Sequence, residues 1–191
     1  MSSEGARVVD WRRLARRVLR VTERGFAIVG VFFVTYCLFF DVTVIASGSM
    51  APTLQGECAE EGDWVLTEKA SLALRPPRRW EVVAFHNREG LRVMKRVVGL
   101  PGETVAIEEG GVVIDGVRET RPAPLERIEY LPYGRLGEGR LAQCGEGYFV
   151  LGDDSVDSYD SRFEGPLPPE RIVGRAWLVI WPPSRMGFVN P

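Results

Sequence analysis

The run LRVMKRVVGLPGETVAIEEGGVVIDG, residues 91–116, decides the fold. Its first part, 91–98, is a Val-rich stretch of strand character that Leu100-Pro101-Gly102 ends sharply. Two further short runs, 104–107 and 112–114, are separated by Glu109-Gly110-Gly111 and closed by Asp115-Gly116. Both separators are hairpin chemistry, because Gly supplies the positive φ that such turns need. The pattern continues outward: 64–68, 81–86, 147–151 and 176–181 are Val- and Ile-rich runs between Gly, Pro and Asp, with little helical periodicity. Many short strands with this punctuation predict a mainly β domain, antiparallel and barrel-like. The span 118–144 is rich in Pro, Gly and charge and shows no period, so it is expected to be a long surface excursion.

Upstream of the strands the chain changes character. Arg7, Arg12, Arg13, Arg16, Arg17, Arg20 and Arg24 precede an uncharged stretch from Gly25 to Phe40. Trp11, Leu14, Ala15 and Val18 recur at helical spacing among the arginines, so residues 1–24 read as a basic amphipathic segment. The uncharged stretch reaches roughly 24 Å as a helix against a hydrocarbon core of ~30 Å. Asp41 interrupts it and Val42 to Ala46 extend it, so residues 25–46 are expected to form a single transmembrane helix. Arginine on one flank predicts a cytoplasmic N-terminus, with residues 47–191 forming an extracytoplasmic β-rich domain. A cleaved secretory signal and a buried core helix are the alternatives, the first supported by the small-residue run Val44-Ile45-Ala46.

A net charge of −2 gives no overall reason to expect nucleic acid as a partner. The three cysteines, Cys37, Cys58 and Cys144, and the one histidine, His86, fit no zinc spacing, so no metal site is expected. Cys37 reads as a small buried hydrophobe. Cys58 and Cys144 either pair as a disulfide in an oxidising compartment or remain free thiols.

Two short runs carry chemistry. Ser47-Gly48-Ser49-Met50 follows the apolar segment, and Val93-Met94-Lys95-Arg96 sets a lysine inside a strand. A serine hydroxyl is a poor nucleophile without a nearby base. A lysine can serve only when neutral, and moving its pKa from ~10.4 to about 7–8 costs roughly 3–5 kcal/mol. Val93, Met94, Val97 and Val98 surround Lys95 with apolar side chains, which suits it to that shift. By pattern alone, a loop serine and a solvent-facing strand lysine remain the simpler alternatives.

Ser47-Gly48-Ser49-Met50-Ala51-Pro52-Thr53-Leu54 resembles the nucleophile box of type I signal peptidases, the membrane-bound serine proteases of the Ser-Lys class. The run from Met94 to Glu103 resembles that family's lysine box, and the run from Gly152 to Arg162 its C-terminal box. The resemblance extends from the apolar segment to Trp181. It implies Ser49 as nucleophile, Lys95 as general base, Ser47 as an oxyanion-hole hydroxyl and Ser158 as the serine that hydrogen-bonds and orients the lysine. It further implies an Asp160–Arg162 ion pair and Asp153 as a structural acid. Asp154 and Ser155 stand where the family often has Asn and Arg, and Arg79-Trp80-Glu81 where it often has Arg-Gly-Asp.

The implied substrates are signal peptides of exported preproteins, which end in small residues at the first and third positions before the cut. They would be bound by β-addition at the face of a bacterial inner (plasma) membrane, without metal or organic cofactor. Ile45, Met50, Leu54, Val93 and Met94 flank the catalytic positions and are the candidates to line the small pockets. Core packing is the alternative for each. Three other functions stay open: a triad through His86, a self-cleaving repressor-type protease, and a non-catalytic membrane-tethered β-domain.

Overall fold

The computed structural model describes residues 11–57 and 61–189. They form two compact units that divide after Leu38.

The first unit is helix α1, Trp11–Phe39, which continues unbroken from the arginine-rich part into the apolar part. It is long and apolar enough to cross a membrane by length and composition. Its apolar side chains, Phe26, Phe32 and Phe33 among them, are exposed within the chain. Cys37, expected to be a small buried hydrophobe, is exposed within the chain, as are the apolar side chains around it. The expected span 25–46 divides at Phe39, beyond which the chain is extended rather than helical.

The second unit is mainly antiparallel β. Its longer strands are β1 (Phe40–Val44), β2 (Trp64–Glu68), β3 (Val82–His86), β4 (Arg92–Gly99), β5 (Thr104–Glu108) and β6 (Gly111–Ile114). Short strands β7 (Val117–Arg118), β8 (Ala142–Gln143) and β9 (Phe149–Leu151) follow, then β10 (Ile172–Trp181) and β11 (Gly187–Phe188). The seven predicted runs correspond to β2–β6, β9 and β10. β1 was hidden because Phe40-Asp41-Val42-Thr43-Val44 continues the apolar composition of the helix, although its β-branched residues suit a strand.

One sheet runs β1-β2-β10-β3-β4-β9, with β11 on β10, and the other runs β7-β6-β5-β8. Among the described residues neither closes into a barrel. The larger sheet curls instead. Arg92 on β4 reaches across to Asp41 on β1, with Nη1 and Oδ2 2.6 Å apart. Register shifts along β10 let it pair with β2 on one side and with β3, then β11, on the other.

Strand alternation sorts the core into layers. Val82, Ala84 and Met94 enter one apolar cluster with Ile45, Met50, Leu54 and Val65. Val83, Phe85 and Val97 enter another with Tyr148, Val150 and Leu167. A third lies against the smaller sheet, and here the span 118–144 departs from its expected surface role. Leu125, Ile128, Tyr130 and Leu136 from this span are all buried in that cluster. The span is irregular, built of 3-10 turns at Ala123–Leu125 and Gly134–Leu136, so its apolar residues enter the core singly and leave no period in the sequence. Cys58 lies outside the described residues, and the Cys58–Cys144 pairing with it. Cys144 is buried in the third cluster.

Candidate active site

Ser49 is the middle residue of a single 3-10 turn, Gly48–Met50. The turn is pinned by Met50, which is almost wholly buried in the cluster with Ile45 and Leu54. The N–H of Ser49 lies at the start of that turn, where amides have no partner within the turn itself. Ser47 is exposed, and its Oγ is 3.2 Å from that of Ser49.

Lys95 lies in β4, where alternation puts it on one face with Val93 and sets Met94 and Arg96 on the other. It is buried, and its Nζ is 2.6 Å from Ser49 Oγ. Burial pulls its ammonium down to about 8. The nearby Arg162 guanidinium acts in the same direction, and the carboxylates of Asp160, Asp153 and Asp157 oppose it. At neutral pH an appreciable fraction of Lys95 is therefore unprotonated, and a neutral amine that close to a hydroxyl can accept its proton.

The loop after β9 holds this pair. Asp160 caps helix α2 (Ser161–Glu164), accepting from the Arg162 amide at 3.1 Å. It also receives the Gly152 amide at 2.9 Å and the Ser158 hydroxyl at 2.7 Å. Arg162 grips both its oxygens, Nε to Oδ1 at 2.9 Å and Nη2 to Oδ2 at 2.8 Å, with both side chains fully buried. Gly152 must be glycine, since a Cβ there would run into the Ser158 side chain and the Ser49 carbonyl oxygen. That carbonyl accepts the Asp154 amide at 3.2 Å. Asp153, between them, takes Arg96 Nε at 2.8 Å and Nη2 at 2.6 Å, and Thr53 Oγ1 at 2.5 Å. Ser49, Lys95 and Ser47 open onto a cavity of about 280 Å³ walled by Phe85, Val93, Val150 and Leu167.

A buried lysine 2.6 Å from a serine hydroxyl, at the floor of a cleft, is an arrangement able to activate that hydroxyl as a nucleophile. Residues 18–181 match the family described as signal peptidase, peptidase S26. The chain belongs to that family. Signal peptidase I of Leptolyngbya laminosa is 37% identical over 156 residues, covering 77% of this chain and 71% of that one. Signal peptidase I of Bacillus caldolyticus is 31% identical over 160 residues, 78% of this chain and 84% of that one. A crystal structure of a signal peptidase I from Enterococcus faecalis V583 is 30% identical, with a TM-score of 0.44, over 53% of this chain and 97% of that one.

In this S26 peptidase chain several residues sit otherwise than their sequence positions suggest. Ser158 donates to Asp160, and among the described residues Lys95 Nζ has its hydrogen bond to Ser49 alone. Of the five candidate pocket residues, Val93 lines the cleft, while Ile45, Met50, Leu54 and Met94 are buried in the cluster that packs against the Ser49 turn. Alternation separates Val93 from Met94. His86 is exposed at the end of β3 and is not part of the cleft wall. Its carbonyl accepts Arg171 Nε at 2.8 Å. Sequence reasoning missed Arg96 and Thr53 as the partners of Asp153. The signal for Arg96 was available, because a charged residue in a Val-rich strand needs a buried counter-charge.

Proposed function

We propose that the protein is a membrane-anchored serine endopeptidase that removes N-terminal signal peptides from exported preproteins, with Ser49 as nucleophile and Lys95 as general base. The observation that carries this reading is the 2.6 Å approach of a buried, pKa-depressed Lys95 to Ser49 Oγ. Neutral Lys95 takes the hydroxyl proton as Ser49 Oγ attacks the scissile carbonyl carbon. The oxyanion that forms is held by the Ser49 amide and the Ser47 hydroxyl. Lys95 then gives its proton to the leaving amine, releasing the mature chain. Water, deprotonated by the same lysine, hydrolyses the acyl-enzyme. The roles of Ser158, Asp160 and Arg162 are positional: they fix the loop that closes over Lys95. Asp153 does the same from the opposite face of β4.

Helix α1 supplies the anchor, with residues 1–24 as a basic cytoplasmic segment and the peptidase domain on the extracytoplasmic face of a bacterial plasma membrane. This places the cleft on the side where exported preproteins emerge. No metal or organic cofactor enters these steps, since the lysine supplies the base.

Cleavage of a model preprotein in detergent tests the assignment. Ser49→Ala is expected to leave no enzymatic turnover while retaining the β-rich circular dichroism of the parent. His86→Ala is expected to cleave at the parental rate, and loss of activity there would replace the dyad with a triad. Ser47→Ala removes one oxyanion donor and is expected to lower kcat by roughly 10²–10³-fold with KM little changed. A raised KM with kcat unchanged would instead mark Ser47 as a binding residue.

A further inference from the structure

The carboxylates around Lys95 are not equivalent. Asp160 is gripped through both oxygens by Arg162, and Asp153 through both by Arg96. Glu164 and Arg171, farther along the cavity wall, lie 3.7 Å apart as a pair. Asp157 is exposed, and among the described residues its carboxylate has no hydrogen bond or ion pair. Its position is fixed through the backbone. Asp154 donates its amide to the Ser49 carbonyl at 3.2 Å, and its Oδ1 accepts the amides of Val156 at 2.9 Å and Asp157 at 3.2 Å. The loop so held sets Asp157 against the nucleophile turn: a Cβ on Gly48 would come 3.1 Å from Asp157 Oδ2. Ser47, Ser49, Lys95 and Asp157 all line the one cavity. An unmatched carboxylate therefore stands beside the base and between the two serines.

We infer that Asp157 sets the pH at which the Ser49–Lys95 pair becomes active, as a fixed negative charge that holds the proton on Lys95. This deepens the peptidase reading given above and rests on it. With no hydrogen bond to either residue, Asp157 is a positioning residue that acts through the field it places on Lys95. A nearby negative charge favours the protonated form of an amine. Burial and Arg162 drive the proton off Lys95, while Asp160, Asp153 and Asp157 retain it. The fields of Asp160 and Asp153 are offset by the guanidinium that each one carries, and that of Asp157 is not. Water around Asp157 weakens the interaction, so its size is about half a pH unit, as for charges several ångströms apart at high dielectric. The same carboxylate lies over Gly48, between the serines assigned to the oxyanion, and there it opposes the charge that develops in the transition state. Both effects slow cleavage at neutral pH.

The test follows kcat/KM for a model preprotein across about pH 6 to 10, with the full chain in detergent. Asp157→Asn is expected to lower the midpoint of the rise by about half a pH unit and to cleave about 3-fold faster at pH 7, with an alkaline plateau no lower than the parent's. Asp157→Glu keeps the charge and is expected to keep the parent's midpoint. Raising salt from about 0.05 to about 0.5 M is expected to narrow the gap between the parent and Asp157→Asn, because salt screens an exposed charge. A midpoint that Asp157→Asn leaves unmoved or raises overturns the inference, even where the rate falls at every pH, since that result describes a scaffold residue. A midpoint lowered equally by Asp157→Glu, or a gap that salt leaves untouched, overturns it as well. These outcomes remove only the role of Asp157. A parent profile without a midpoint removes Lys95 as the base, and a parent that cuts nothing removes the peptidase reading itself.

Discussion

Lys95→Met is expected to lower kcat/KM for preprotein cleavage by about 10⁴-fold or more, as loss of a base that acts as a unit with its nucleophile does, and at the same time to make the folded protein more stable. The two effects share one cause. Lys95 is buried among apolar side chains, and burial holds its pKa at about 8 against an ordinary 10.5. A difference of that size corresponds to roughly 3 kcal/mol of unfavourable interaction with the charged form. Below pH 8 both folded and unfolded chains carry the proton, so the whole cost is present. Between pH 8 and 10.5 the unfolded chain binds more protons than the folded one, and stability rises with pH. Above that window the cost has gone.

Methionine keeps the unbranched stem and removes the charge. Denaturant titrations at pH 7 should therefore show Lys95→Met more stable by up to about 3 kcal/mol. The gap should shrink as pH rises through the window. The parent's kcat/KM should climb with pH through about 8, as Lys95 loses its proton in the free enzyme. A parent profile flat from pH 6 to 9, or a variant less stable at pH 7, would show that Lys95 is not the buried base.

The strands were legible where two signals coincided, β-branched composition and a Gly or Pro boundary, as in β4 with its Pro101-Gly102 stop. Strand β1 carried the composition without the boundary, because no turn residue separates Phe39 from Phe40. The curl of the larger sheet was not legible at all. It depends on shifts along β10 and on the Arg92–Asp41 contact, which join residues far apart in sequence. The same distinction runs through the site. The approach of Lys95 to Ser49 was readable because each stands in a long motif and a serine nucleophile would need a base beside it. The candidate pocket residues adjoin them in sequence, and adjacency along a strand is misleading: Val93 and Met94 are neighbours in sequence and lie on opposite faces. Ser158 was expected to meet the lysine directly, but in the structure its hydroxyl goes to Asp160.

Asp153→Ala is expected to destabilise the β-rich unit by about 3–5 kcal/mol, the usual result of removing one member of a buried ion pair. Arg96 and Asp153 are both fully buried in their side chains and joined by two hydrogen bonds. Thr53 Oγ1 donates to the same carboxylate, and Arg96 Nη1 donates to the Trp80 carbonyl at 2.7 Å. Without Asp153 the guanidinium keeps that carbonyl but loses both of its bonds to this carboxylate, in a fully buried place. The pair also joins two parts of the site: Arg96 follows Lys95 on β4, and Asp153 lies between Gly152 and Asp154, the residues in contact with the Ser49 carbonyl. Activity should therefore fall further than the loss of folded protein explains, seen as a lower kcat at a denaturant-free temperature where the variant remains folded. The double variant Arg96→Met/Asp153→Leu separates the two roles. Removing both charges should restore most of the stability, since well-packed apolar residues often replace a buried pair at little cost, yet leave kcat depressed because the tie between β4 and the loop is now unspecific. Full recovery of both would reduce the pair to a structural element with no part in positioning the nucleophile. If stability is not recovered, the arginine's bond to the Trp80 carbonyl, rather than the ion pair, is what holds β4 in place.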